Sequence, residues 1–474
     1  MTDYNEMKAL TFDDRDEFSR KPIAEKIIKL LNSDINVSPL IIDGKWGTGK
    51  TEFCFKLKNL IESDNPNEYK IGYVNAFQAD HANEPLLTLI AEVAGFYGED
   101  NDKRQNFIAS AIPYLRLVTG LGVKAALGFA FGRYATDIPD ELADSIDEIR
   151  EGSKSLIDQS IESLIKDQVE AEKNLATLRD ALTDIASSNP IILLIDELDR
   201  CRPDFAVMML ETIKHVFDVE NVQIILITNA EQLKATIKHS YGSETNSHDY
   251  LYKFFKYQIN LPTTIKDVEG ISIENNVTHF RTTVEKSKVI PQEFKDNNFI
   301  YDIPTFINVS KLSLRNIEQI VRCIETLIIF EDEAQSQSPV VEQILMVFIS
   351  FIYILNKDLL IQVSDKTVNS EIFFKFVGSQ RLYLPRDVSV VRENYVRSLI
   401  LVLFNTVNEN NNIHIPRDDY SDSNQGNEIL RNMLSKIDLE KEAERYSGYI
   451  SESSYLHAYI DHTVNNLLLF DIVK

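Results

Sequence analysis

Strand-like runs recur along the first half of the chain: apolar at Pro39 to Ile42, uninterrupted at Ile191 to Ile195, mostly apolar at Val222 to Thr228, and mixed at Tyr69 to Asn75. Runs rich in Val, Ile and Leu, without polar alternation, mark strands covered on both faces, as in a parallel sheet between helical layers. Helical spacing follows them, from about Lys50 to Glu62, in a helix that begins over Pro85 to Gly95, and from Phe205 to Phe217. The order strand, glycine-rich loop, helix, strand, long helical insertion, strand, helix, strand predicts an α/β parallel sheet with helices on both faces.

The insertion covers about residues 96–188. Phe107 to Phe131 is apolar but interrupted by Pro113, Arg116 and Lys124. A spanning helix needs roughly 20 mostly apolar residues, and central charges cost about 2.5 to 3.5 kcal/mol each, so a buried or partner-facing helical hairpin is expected instead. Asp140 to Ser188 is acidic, with Leu156, Ile161, Leu164 and Ile165 near helical spacing, and reads as one long helix or a helical pair. Its apolar side either packs on the sheet or meets another protein. Beyond the polar loop Gly242 to His248, the stretch Tyr250 to Asn260 leads into Leu261-Pro262, which closes a core domain of residues 1–262. A mostly helical piece, 263–333, and a C-terminal mostly helical domain, 339–474, follow on either side of the polar linker Ala334 to Pro339. Ile344 to Leu355 is uncharged but too short to span a bilayer, and is expected to be a core helix.

Length agrees with this division, since 474 residues exceed what one core organises. The formal charge of -24 changes the picture more. An acidic surface repels phosphate backbones and anionic lipid, which leaves nucleic acid possible through a local basic groove but not favoured. Cys54, Cys201 and Cys323 show no paired spacing, and Met1 to Glu17 lacks a basic start and an apolar run, so a cytoplasmic chain without disulfides is expected.

Chemistry is concentrated at the ends of two strands. Gly44-Lys45-Trp46-Gly47-Thr48-Gly49-Lys50-Thr51 has the spacing of a phosphate-binding loop and directly follows the first strand. Glycines let successive backbone N–H groups turn inward on a phosphate, and the helix behind the loop presents its positive end there. Lys50 is then placed for the β- and γ-phosphates, and Thr51 for Mg²⁺. The run Ile191 to Ile195 ends in Asp196-Glu197. Carboxylates at the tip of a buried strand need a cation, and Mg²⁺ beside a phosphate loop supplies it, with Asp196 on the metal side and Glu197 as base for the attacking water. A glycine turn before a helix and an acidic helix start are the plainer explanations of each motif alone. His81 has no ligand partners at metal spacing, and the aromatics from Tyr250 to Tyr257 read as packing before base stacking.

The loop with its tryptophan, Val74-Asn75-Ala76-Phe77, and Ile195-Asp196-Glu197-Leu198-Asp199-Arg200-Cys201-Arg202-Pro203 together resemble the KAP family of P-loop ATPases over about residues 10 to 330. The resemblance implies a sheet of the additional-strand, catalytic-glutamate type, a helical lid over 263–333, ATP with Mg²⁺ as ligand, and hydrolysis driving a switch or assembly. It also implies a polar sensor at Asn229, a second sensor at Arg315, a place for Asp16 and Arg20 on the base side of the nucleotide, and a role for Arg200 or Arg202 as transition-state arginine or simple ion-pair partner of Asp199 or Asp204. Bacterial members are linked to phage exclusion, so anti-phage defence follows by analogy. A nucleotide-binding scaffold and a nucleic-acid-stimulated motor are the rival functions. A protein partner or a second copy, meeting the helical regions, is expected.

Overall fold

A computed structural model describes residues 4–82, 84–97, 101–119, 161–266, 270–307, 312–330, 340–365, 367–368, 370–378, 396, 400 and 452–469. The chain divides into two compact units, Met1–Pro262 and Thr263–Lys474.

In the first unit, β1 (Leu40–Asp43), β2 (Lys70–Asn75), β3 (Ile191–Asp196), β4 (Val222–Thr228) and β5 (Tyr257–Asn260) form one sheet in the order β2-β3-β4-β1-β5. All its pairings are parallel. The two strands that carry the chemistry, β1 and β3, are therefore separated by β4, as the additional-strand type implies. The fifth strand was not among the expected ones. Tyr257-Gln258-Ile259-Asn260 is a largely exposed edge whose short polar pattern carries no buried-strand signal.

Burial on both faces explains the apolar character of the central strands. Leu40, Ile42, Ile192, Leu194, Ile225 and Ile227 face α1 (Lys21–Leu31) and α2 (Lys50–Ser63), which contribute Ile27, Leu31, Phe53, Leu57 and Ile61 to one core. Ile41, Val74, Ile191, Leu193, Ile195, Ile224 and Leu226 belong to a second core on the opposite face. There they join α3 (Pro85–Ala94), α4 (Asn101–Thr119), α5 (Ile161–Ser188), α6 (Pro203–Val216) and α7 (Ala230–Tyr241). Each fully buried Leu or Ile is worth about 1.5–3 kcal/mol against exposure, so both helical layers are held by the same strands.

Within the insertion, Phe107 and Ala111 of α4 and Leu178, Leu182 and Ala186 of α5 lie in the second core, and so pack on the sheet side. Residues 120–131, and the part of Asp140 to Ser188 before Ile161, lie outside the described residues. Among the described residues no helix is long and apolar enough to cross a membrane.

The second unit opens on an antiparallel hairpin, Thr264–Lys266 with Ser272–Glu274, and its other regular elements among the described residues are helical. Its helices include α8 (Asn275–Lys286), α9 (Leu314–Phe330), α10 (Val340–Leu355) and a last helix, Glu452–Leu468. The stretch read as a core helix is one: Ile344, Leu345, Val347, Phe348, Ile349, Phe351 and Ile352 are all fully buried. Residues on both sides of the linker, Ile317 to Leu327 and Val341 to Val377, share a single hydrophobic cluster.

Candidate nucleotide site

The phosphate-loop motif forms the connection between β1 and α2, and its glycines are used as glycines. Gly47 and Gly49 have φ of 69° and 78°, the left-handed region that a side chain disfavours. Gly44 is closely packed, since a Cβ there would lie 2.9 Å from Thr48 Oγ1. The Gly44 N–H donates to Thr228 O at 3.1 Å, which ties the loop to β4. Thr48 Oγ1 donates to Lys45 O at 2.8 Å, while Lys45 itself is exposed.

Lys50 starts α2 and is buried, with Nζ donating to Gly44 O at 2.8 Å and to Lys45 O at 3.3 Å. Burial pulls its ammonium below the ordinary lysine range, and Asp199 and Asp196 oppose that pull. Beneath the loop, Arg20 is buried and donates from Nη1 to Thr48 O at 2.8 Å, its Nε left without a partner. Burial lowers its guanidinium to about 10. Asp16 accepts the backbone N–H groups of Arg20 and Lys21 at 2.7 and 2.9 Å, so the two residues brace the loop and α1.

At the tip of β3, Asp196 is fully buried. The Thr51 hydroxyl is near enough to pull its pKa down, which brings the acidic strand end to the phosphate loop. The Asp196 carboxylate also accepts Glu197 N–H at 2.8 Å and, weakly, the Tyr73 hydroxyl at 3.4 Å. Burial dominates these donors and pushes the carboxyl up to about 6, with Glu197 as a neighbouring negative charge adding to the rise. Glu197 has φ of 64°. Asn75 Nδ2 donates to its Oε2 at 3.1 Å, and Arg200 Nη1 pairs with its Oε1 at 2.8 Å. The strand register explains the first contact, because Asn75 pairs with Asp196 across β2 and β3.

Asn229 follows β4 and caps α7, its Oδ1 accepting Gln232 N–H at 3.3 Å. Its amide NH₂ donates to nothing among the described residues. Trp46 is half exposed and its indole N–H donates to Asp199. Arg202 is engaged elsewhere, holding Asp80 through Nε at 3.0 Å and through its backbone N–H at 3.0 Å. The arginines after the acidic pair thus bind Glu197 and Asp80, correcting the expectation of Asp199 or Asp204 as their partners. Arg315 belongs to the second unit, exposed at the start of α9 beside a cap in which Ser313 and Asn316 exchange side-chain and backbone hydrogen bonds.

The structure therefore gathers Gly44 to Thr51, Asp196, Glu197 and Asn229 at the carboxyl ends of β1, β3 and β4, where open α/β sheets bind ligands. Asn75, Tyr73 and Thr228 join the site without a sequence signal of their own, although Asn75 lies within Val74-Asn75-Ala76-Phe77. No group of three or more potential metal-ligating side chains occurs among the described residues, His81 included.

A family model described as the KAP family P-loop domain matches residues 20–333. The chain belongs to this family. It is thereby a nucleotide-binding P-loop NTPase in fold and lineage, of a kind that generally takes nucleotide with a divalent cation. Curated proteins give no match. A solved structure titled as a DNA replication initiation factor aligns over 96% of this chain and 97% of its own at 14% identity, with a TM-score of 0.32, too low to carry an argument.

Proposed function

We propose that the KAP domain of this chain binds ATP with Mg²⁺ and hydrolyses it, and that the cycle operates a switch read by a protein partner or a second copy. The observation that carries the reading is the approach of Lys50 Nζ to Asp199 Oδ2 at 3.9 Å, which brings the end of the phosphate loop to the acidic end of β3, where Thr51 and Lys50 both act on the Asp196 carboxyl. A buried carboxylate next to a hydroxyl, pushed up to about 6 by desolvation, is a hard oxygen pair short of positive charge. Thr51 and Asp196 fit a magnesium ion on that ground, and the ion would neutralise charge on the phosphate oxygens.

The chain's own residues do the rest. Backbone N–H groups of the loop and the start of α2 hold the phosphates, and Lys50 leaves the loop carbonyls for their oxygens. The Asn229 amide offers a donor to the terminal phosphate. Glu197 accepts the proton of the attacking water at an oxygen whose lone-pair capacity Asn75 or Arg200 already shares. With both oxygens engaged, slow basal turnover that rises when a partner repositions these two side chains is favoured over constant hydrolysis. A nucleotide-holding scaffold is the neighbouring alternative, and phosphate release measured with and without partners separates them.

Lys50→Ala should lose ATP binding, and Glu197→Gln should retain it while releasing phosphate far more slowly. Equal turnover by Glu197→Gln and the wild type would refute Glu197 as the base. ATP over GTP is supported by the absence of an Asn-Lys-x-Asp guanine pattern. A protein partner is supported by the charge of -24, which disfavours nucleic acid, and a cytoplasmic setting by free, buried cysteines. Anti-phage action rests on the family analogy, and loss of phage restriction in cells carrying Glu197→Gln is its test.

A further inference from the structure

Asp199 stands on the turn after β3 and is buried. Its carboxylate meets three groups of the site. Oδ2 accepts the indole N–H of Trp46, Oδ1 accepts the hydroxyl of Thr228 at 3.1 Å, and Lys50 Nζ lies 3.9 Å from Oδ2. Thr228 is also the residue whose carbonyl receives the Gly44 N–H. One side chain thus grips the phosphate loop in its middle, faces the lysine at its end, and is anchored on the strand that supports its beginning.

This placement has an electrostatic consequence. Lys50 is the cation a phosphate must recruit, and Asp199 is a fixed negative charge already beside it in a water-poor surrounding. Phosphate oxygens arriving in the loop compete with Asp199 for Lys50 and are repelled by it, an effect that grows as the effective dielectric falls. The same carboxylate fixes Trp46, so a loop that shifts to take phosphate has to change the indole contact. Trp46 is half exposed and its ring is not in the core, so that hydrogen bond is what directs it.

We propose that Asp199 is a positioning residue that holds the phosphate loop through Trp46 and tempers nucleotide affinity by competing for Lys50, so that binding of the triphosphate releases the indole. The inference rests on the nucleotide-binding reading of the site. It differs in sign from a plain structural brace. A brace, when weakened, lowers affinity, whereas a competitor, when neutralised, raises it.

Asp199→Asn keeps the size of the side chain and an acceptor for one donor while removing the charge. ATP and ADP with magnesium are titrated into the full chain and followed by anisotropy of a labelled nucleotide, with emission of Trp46, the single tryptophan, as a second signal. Tighter binding by at least about fivefold is expected for Asp199→Asn, together with a smaller emission change on adding ATP than in the wild type. Thr228→Val, which removes only the hydroxyl that stabilises the carboxylate, is expected to alter Trp46 emission in the same direction. Equal or weaker binding by Asp199→Asn with an undiminished Trp46 response would leave the nucleotide site standing and overturn the competition. Failure of the wild type to bind either nucleotide would overturn the proposed function, and this inference with it.

Discussion

Replacing Asp196 by Asn should make the protein more stable and less useful. The folded carboxyl is pushed up to about 6 from an ordinary 3.8, chiefly by burial. Between those values the folded state keeps a proton that the unfolded chain gives up, so stability falls as pH rises, and above about 6 the whole penalty is present. Two pH units and a little more correspond to about 3 kcal/mol, at 1.36 kcal/mol per unit. Asn carries no such penalty, its carbonyl can still accept Glu197 N–H, and its NH₂ has hydroxyl oxygens of Thr51 and Tyr73 nearby. Urea unfolding of the protein without added nucleotide, followed through Trp46 in the first unit, should show Asp196→Asn stabilised by up to about 3 kcal/mol at pH 8, with roughly half that gain at pH 5. The same variant should lose the magnesium dependence of ATP binding. A variant less stable than the wild type at pH 8, or a gain that grows as pH falls, would refute the reasoning, because it would mean that the carboxylate is well satisfied in the folded protein without a cation.

Two further changes probe the supports. Arg20→Met removes the donor to the Thr48 carbonyl under the phosphate loop and should cost about 1–3 kcal/mol in the same Trp46-monitored unfolding, with weaker ATP binding; an unchanged midpoint would show that the buried guanidinium does not brace the loop. Phe348→Ala empties the centre of the second unit, where the ring meets Phe373 edge-on at 6.1 Å, and should destabilise that unit by about 3–5 kcal/mol, read as faster proteolytic cleavage beyond residue 263.

Four strands, the phosphate loop and the acidic strand end were legible because each leaves a local mark. Burial on two faces writes an unbroken apolar run, and a loop that turns inward on an anion needs glycines at fixed intervals. Contacts between distant segments leave none. Nothing in residue order shows that Trp46 meets Asp199, that Asn75 holds Glu197, or that Arg202 reaches back to Asp80, since these depend on strand order and register. Arg20 and Asp16 read as a surface charge pair as readily as a site pair, because helical spacing is the same for both; only burial distinguishes them. β5 was missed because an exposed edge strand carries little hydrophobic signal. The linker at Ala334 to Pro339, itself outside the described residues, looks like a boundary by composition. Composition does not register that helices on its two sides share one core.

The position of β2 at the margin of the sheet decides how changes in the insertion are felt at the site. The chain leaves at Asn75 and comes back one strand inward at Ile191, and α4 and α5, which flank the middle of that excursion, share a core with the sheet. Among the described residues this excursion adds no strand to the sheet, so α4 and α5 enter none of the pairings among the strands that hold Lys50, Asp196 and Glu197. A substitution in either helix therefore reaches the chemistry through the shared core and leaves the order of the strands untouched.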